Sequence, residues 1–270
     1  MRNAITLVVG LGEVGSALSQ VLRRTGRVLE HDIERREFDE PIGVMHLCVP
    51  FTRQDDFEAV ALSYIARFKP ELTIINSTVV PGTSRAIAER ALVPIAYSPV
   101  RGKHIQMAED LLKYRKFVAG TDENTATRAA EHFRAAGMTT QSISKLETLE
   151  LAKLAETTYF GVLIAFAQEL NRYSNRVGGD YADALDFFEE VDCLPGTKYY
   201  PGFIGGHCVI PNIELLSEVA SSPLLNAVLA SNRRRTEELA REARTALSHE
   251  PKANSVQASR KPHSQAALRH

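Results

Sequence analysis

The 270-residue chain has no apolar run approaching the roughly 18–20 residues that a membrane-crossing helix needs, so no membrane is expected as a partner. Nor does a small-residue cleavage site follow the opening Met-Arg-Asn-Ala, which argues against a signal peptide. Cysteine is scarce. Cys48, Cys193 and Cys208 are too few, and odd in number, for a disulfide framework, and a reducing cytoplasm is the expected compartment. No charge of one sign dominates, since 32 Lys and Arg face 33 Asp and Glu, and nothing in that balance suggests nucleic acid. Internal repeats are absent as well. His207-Cys208 has no second Cys or His pair at ligand spacing, so no metal is expected. What remains is 44% hydrophobic and 24% charged, the proportions of a globular protein with a substantial core.

The order of elements predicts an α/β fold. Residues 4–9 read as a buried strand, followed by Gly10-Leu-Gly12-Glu-Val-Gly15 and a helix over 16–24. Strands are expected at 27–32, 43–49, 71–76, 93–97, 116–120 and 138–143, with helices at 55–68 and 123–136, the pattern of a doubly wound parallel sheet. The pattern then changes. From Lys145 to about Val177 no breaker interrupts a helix of roughly 45–50 Å. Gly178-Gly179 ends it and Asp180 can cap a helix at 181–191. A Gly- and Pro-rich loop at 194–212 precedes helices at 213–219 and 223–247. The expected organisation is a Rossmann domain at 1–144, an all-helical domain built on one long helix at 145–248, and a polar, aperiodic tail at 249–270 read as disordered.

Gly10, Gly12 and Gly15 lie between strand and helix. There the first allows a tight turn, the second lets backbone approach a pyrophosphate, and the third lets helix and strand pack closely. The helix start offers free N–H groups to phosphates. Asp32 ends the second strand, where a carboxylate accepts from ribose hydroxyls and repels a 2′-phosphate. The expected cofactor is therefore NAD, a preference that Arg35 and Arg36 soften.

Three further segments carry candidate chemistry. Thr78, in Asn-Ser-Thr-Val-Val-Pro-Gly-Thr at 76–83, follows a strand where such sheets bind ligands, though it could simply turn the chain. Lys153 and Thr157 share one face of the long helix; Lys153 could equally be a solvated residue. Cys208 closes Phe-Ile-Gly-Gly-His-Cys at 203–208, as a nucleophile or as a small buried hydrophobe. Cys48, inside a core strand, suits the second description.

These motifs resemble the UDP-glucose/GDP-mannose dehydrogenase family (nucleotide-sugar 6-dehydrogenases) over about residues 4–240. The carrying segments are Gly-Leu-Gly-Glu-Val-Gly at 10–15, Cys-Val-Pro at 48–50, Ser-Thr-Val-Val-Pro-Gly-Thr at 77–83, Glu-Leu-Ala-Lys-Leu-Ala-Glu-Thr at 150–157 and Pro-Gly-Phe-Ile-Gly-Gly-His-Cys at 201–208. The resemblance implies oxidation of a primary alcohol through a thiohemiacetal and a thioester on Cys208. It implies that Lys153 steadies the oxyanion and that Thr78 positions water or substrate. It puts Thr157, Asn212 and His207 at the catalytic site, and Glu13, Val14, Val49, Pro50 and Thr78 with the glycines and Asp32 at the cofactor. It also implies a homodimer built on the long helix.

Three positions depart from the family pattern: Val100 stands for a glutamate, Thr157 for an asparagine and Asn212 for an aspartate. The chain also reads as a short form without the sugar-nucleotide domain. The expected substrate is therefore a small molecule, nucleotide-linked or smaller and anionic. Arg101, Lys103, His104 and Arg233-Arg234-Arg235 could bind such an anion, although the triple arginine could be a solvated face. Two alternatives stay open: a non-catalytic NAD-binding dimerisation module, and a two-electron 3-hydroxyacid-type dehydrogenase using Lys153.

Overall fold

The structure, a computed structural model, describes residues 5–33, 38–91, 93–102, 106–187, 199–206 and 208–249. Seven strands form one sheet in the order β2-β1-β3-β4-β5-β6-β7. They are β1 (Ile5–Val9), β2 (Val28–His31), β3 (Ile42–Leu47), β4 (Leu72–Ile75), β5 (Ile95–Tyr97), β6 (Lys116–Gly120) and β7 (Thr140–Ser142). Neighbours run parallel except β5 and β6, which pair antiparallel, a departure from the all-parallel expectation. A parallel pair needs a crossover that carries the chain back to its starting edge. Among the described residues, the connection after β5 has as its helix the seven-residue α4 (Met107–Lys113), and β6 enters the sheet from the opposite end.

Both faces of the sheet are covered, so its central strands are apolar without alternation. Leu7, Val8 and Val9 of β1 are all fully buried. Val8 faces α1 (Glu13–Leu22), α4 and α5 (Glu123–Ala135), packing with Leu18, Leu111 and Phe133. Leu7 and Val9 face α2 (Gln54–Phe68) and α3 (Thr83–Ala91), packing with Phe57, Ala61 and Ile87. The short helices α3 and α4 were not anticipated from the sequence.

The long helix is α6 (Leu146–Val177), of 32 residues. Its first turns belong to the sheet's core through Leu146 and Leu149. Farther along it joins α8 (Val209–Val219) and α9 (Pro223–His249) in a separate cluster of Ala165, Val209, Ile213, Leu225 and Val228. Gly161 makes that approach close, because a Cβ there would lie 2.9 Å from Ile213 and 3.0 Å from Val209. As expected, Gly178 ends α6 in the left-handed region (φ +68), and the Asp180 side chain caps α7 (Tyr181–Asp186) by accepting from Ala182 and Asp183 N–H.

The structure corrects one boundary that matters for the site. Helix α8 starts at Val209 rather than 213, which places Cys208 at its N-cap and Asn212 within it. Pro211 falls in the first turn, where its missing N–H has no helical partner to lose. Residues 250–270, expected as a disordered tail, lie outside the described residues, as do Arg35, Arg36, Lys103, His104, Cys193 and His207.

Candidate active site

β1 lies between β2 and β3, so the chain reverses its direction of winding at its carboxyl end, the crevice where open α/β sheets take ligands. Three glycines shape that end. Gly10 turns with φ +87, and a Cβ there would lie 2.7 Å from the Cys48 carbonyl oxygen. Gly15 is more crowded, since its Cβ would come within 1.8 Å of the Gly10 carbonyl oxygen. Gly12 differs: it is the N-cap of α1, and a Cβ there would meet nothing within 4 Å. Two glycines thus close the turn against the sheet, and one leaves open space over a helix N-terminus, which fits a pyrophosphate. Asp32 stands exposed one residue past β2. Glu13 opens α1 and Val14 is half-buried behind it. Val49, Pro50 and Thr78 sit on the neighbouring loops, tied together where the Ser77 hydroxyl donates to the Val49 carbonyl at 2.6 Å.

A second set of groups gathers around Cys208. Lys153 of α6 is near enough to lower the thiol's pKa, and Glu13 is near enough to raise it. Burial is the largest influence, and the net shift is upward. Burial also lowers the Lys153 ammonium, against the pull of Glu156 and Cys208, while Arg101 adds to the lowering. One turn beyond Lys153, Thr157 Oγ1 accepts from the Asn212 side-chain amide at 2.9 Å and donates to the Lys153 carbonyl. Cys208, Lys153, Thr157 and Asn212 therefore share one corner between α6 and α8, and Glu13 links that corner to the glycine turn. Cys48 does not take part: burial pushes its thiol up to about 12.

Three residues given no role from the sequence hold this arrangement together. Asn232 of α9, which is buried, accepts from Ile204 N–H at 2.8 Å and donates to the Ile204 carbonyl at 3.1 Å. Gln168 of α6 donates to the Gly202 carbonyl at 2.7 Å. Together they pin the glycine-rich strand of chain that leads to Cys208. Glu150, fully buried, accepts from Gly82 N–H at 2.6 Å and Ser84 N–H at 2.9 Å, which ties α6 to the start of α3, just past Thr78. The available signal was polar residues on the apolar faces of α6 and α9.

The substituted positions have settled into structural roles. Val100 is buried in the sheet's core with Met107 and Leu111. Of the arginine cluster, Arg235 pairs with Glu238 and Glu242, and Arg234 with Glu238. That face is therefore cross-linked along the helix. Beside Lys153, Arg101 lines a cleft of about 260 Å³ with Pro99, Phe117, Ile143 and Leu149.

Residues 147–237 match the model of the UDP-glucose/GDP-mannose dehydrogenase family, central domain. That match covers the long helix and most of the helical region that follows it. Among curated relatives, the UDP-N-acetyl-D-mannosamine dehydrogenase of Methanocaldococcus jannaschii is 28% identical over 142 residues, which is 51% of this chain and 33% of that protein. That of Methanococcus aeolicus is 25% identical over 202 residues, 68% of this chain and 46% of that one. The alignments thus span about a third to a half of these relatives. The fold is similar to the UDP-D-ManNAc dehydrogenase of Pyrococcus horikoshii, with TM-score 0.79 at 20% identity, covering 90% of this chain and 72% of that one. It is also similar to the 3-hydroxyisobutyrate dehydrogenase of Mycobacterium tuberculosis, with TM-score 0.66 at 16% identity, covering 88% of this chain and 94% of that one. No described helix is long and apolar enough to cross a membrane, and no described group of three or more His, Cys, Asp or Glu could hold a metal.

Proposed function

We propose that this protein is an NAD-dependent dehydrogenase of the UDP-glucose/GDP-mannose dehydrogenase family that oxidises a primary alcohol or aldehyde through Cys208. One observation carries the reading: Cys208 lies within electrostatic reach of both Lys153 of α6 and Glu13, the residue that opens α1 after the glycine turn. A nucleophile beside a cation and next to a dinucleotide cradle is what hydride transfer from a thiol-bound substrate requires. The cofactor, held by Gly10, Gly12, Gly15 and Asp32, would accept hydride. The Lys153 ammonium and the N-terminus of α8 offset part of the burial that raises the Cys208 thiol; its thiolate attacks the aldehyde carbon while Lys153 Nζ hydrogen-bonds to the oxygen as charge develops there. Loss of hydride from that carbon leaves a thioester on Cys208. The relatives' names point to nucleotide-linked substrates.

A second reading has an observation of its own. Hydrolysis of a thioester needs a base, yet Val100 is buried among hydrocarbon and Asn212 donates its amide to Thr157. A reaction that stops at two electrons, with Lys153 exchanging the hydroxyl proton of a 3-hydroxyacid, needs none of those carboxylates.

The test is NADH formation across free and nucleotide-linked alcohols and aldehydes, with Cys208→Ala in parallel. Turnover that disappears in Cys208→Ala supports the thiol mechanism, and unchanged turnover supports the Lys153 mechanism. Measurable NAD binding with no turnover on any substrate would remove both.

The exposed side of α6 supports a homodimer. Tyr159, Phe166 and Tyr173, spaced seven residues apart, are each more than half exposed. A second copy is the partner this apolar stripe fits. Sedimentation at micromolar concentration should find a dimer and Phe166→Glu should shift it towards monomer; a wild-type monomer overturns this.

A further inference from the structure

We infer that the cleft between Pro99–Arg101 and α6 is a subsite for the anionic end, carboxylate or phosphoryl, of a small substrate with an apolar body, and that Arg101 and Lys153 hold that end. The inference rests on Lys153 facing the substrate, as proposed above, and it names the class of molecule the site takes.

The first argument is charge. Arg101 and Lys153 both line the cleft, and each side chain sits near enough to the other for Arg101 to oppose the Lys153 charge. A third amine, Lys116, lies behind them. It is buried, with its ammonium donating to the Ser98 and Pro99 carbonyls at 2.8 Å each. Burial, with Lys153 and Arg101, lowers Lys116 to about 7. Against these cations the described lining offers one carboxylate, Glu156, which is exposed and 3.6 Å from Arg101, too far for a hydrogen bond. Among the described residues the Lys153 ammonium has no hydrogen-bond or ion-pair partner. A bound anion would relieve this repulsion in a partly desolvated place, where charge-assisted bonds are strong.

The second argument is preorganisation. The Arg101 guanidinium stacks over Phe117, 4.9 Å from the ring centroid, and one of its nitrogens donates to the Arg115 carbonyl at 2.9 Å. Its plane is thereby fixed while the remaining donors stay available, the condition for bidentate binding of a carboxylate or phosphoryl group. Val100, turned into the core, anchors the backbone on Arg101's other side.

The third argument is size and lining. Phe117, Ile143 and Leu149 make one wall apolar, and a volume of about 260 Å³ equals roughly nine waters at liquid density. That suits an acid with a short hydrocarbon body.

The experiment is calorimetric titration of the full chain, without NAD, with inorganic phosphate, butyrate and the neutral control butanamide at constant ionic strength. At least one anion should bind where butanamide does not, and Arg101→Gln should weaken it by roughly tenfold or more, the loss of one charge-assisted bond. Glu156→Gln removes the competing carboxylate and should tighten the anion by a few-fold, a gain that damaged folding cannot imitate. Tighter phosphate assigns a phosphoryl end, and tighter butyrate a carboxylate end. Absence of anion binding, equal affinity in Arg101→Gln, or no gain in Glu156→Gln overturns the subsite. Because no turnover is read, failure of the dehydrogenase reading leaves this result distinguishable: anions would still bind, without NADH being formed on any substrate.

Discussion

At the glycine turn, three residues within six positions determine the geometry through backbone alone. Cys208 reaches its place by a longer route, through a loop held by amides 28 and 34 positions away in α9 and α6. The first kind of site depends on what side chains are absent, the second on which side chains are buried and satisfied. The difference determines how each should fail. Filling space should break the turn, whereas removing hydrogen bonds should loosen the cysteine corner without touching the turn.

The largest effect is expected at Gly15. A Cβ 1.8 Å from the Gly10 carbonyl oxygen meets backbone that cannot swing aside. Gly15→Ala should cost about 3 kcal/mol or more in chemical denaturation and abolish dinucleotide binding. Gly12→Ala, with open space around its Cβ, should stay within about 0.5 kcal/mol of wild type yet bind the dinucleotide more weakly, because the methyl enters the space left for phosphates. Equal stability losses in the two variants would break the contrast.

Next in size is an acid effect centred on the sheet's half of the molecule. His46 is fully buried, and its Nδ1 is 2.9 Å from Asn76 Oδ1, which needs a donor. Neutral His46 therefore uses Nε2 to accept from His132 Nε2 at 3.0 Å. Burial lowers His132 to about 4 and His46 well below its usual value. Between pH 6.5 and 4 the unfolded chain binds protons that the folded chain refuses, so stability rises with pH there and is lost on acidification. His132 alone should account for roughly 3 kcal/mol of that loss. His132→Gln should flatten urea-unfolding stability between pH 7 and 4.5; an unchanged slope sinks the assignment. The buried polar cluster of the helical half centres on Gln168, Ser231 and Asn232, none of which titrates in this range.

Legibility in the sequence followed the same division. The turn at Gly10, Gly12 and Gly15 could be read because its backbone geometry is written in closely spaced glycines, and Gly178 and Asp180 because caps act within a turn. Cys208, Lys153, Thr157 and Asn212 could be named through resemblance, but the Thr157–Asn212 bond required α6 and α8 to meet. The start of α8 was misplaced because a Gly-rich loop and Pro211 look like coil, although a helix's first turn tolerates proline. The antiparallel β6 left no periodic signature. Gln168 and Asn232 carried only the weak signal of a polar residue on an apolar helix face, and their roles needed the partner, a loop carbonyl or amide, to be known. Arg234 and Arg235 were the converse case: Glu238 and Glu242 follow at helical spacings, so their mutual neutralisation could be read directly.

A smaller loss of stability than those at Gly15 and His132, and a more specific one, belongs to Asn232. Ile204 is 3% exposed, so its N–H and carbonyl have little access to water if the Asn232 side chain is removed. Asn232→Leu should cost about 2 kcal/mol, below the sum of two unpaired buried groups because the loop can relax outward. Asn232→Asp, which still accepts from Ile204 N–H, should fall between. The consequence for the site is loss of register in the segment that ends at the N-cap of α8. Turnover should drop, and the rate of Cys208 alkylation should change, in the order Asn, Asp, Leu. Dinucleotide affinity should stay level across the three, since neither Asn232 nor Ile204 touches the Gly10–Gly15 turn. A parallel decline in that affinity would mean the cofactor cradle and the cysteine corner are not separately built, and the contrast between them would fail at its root.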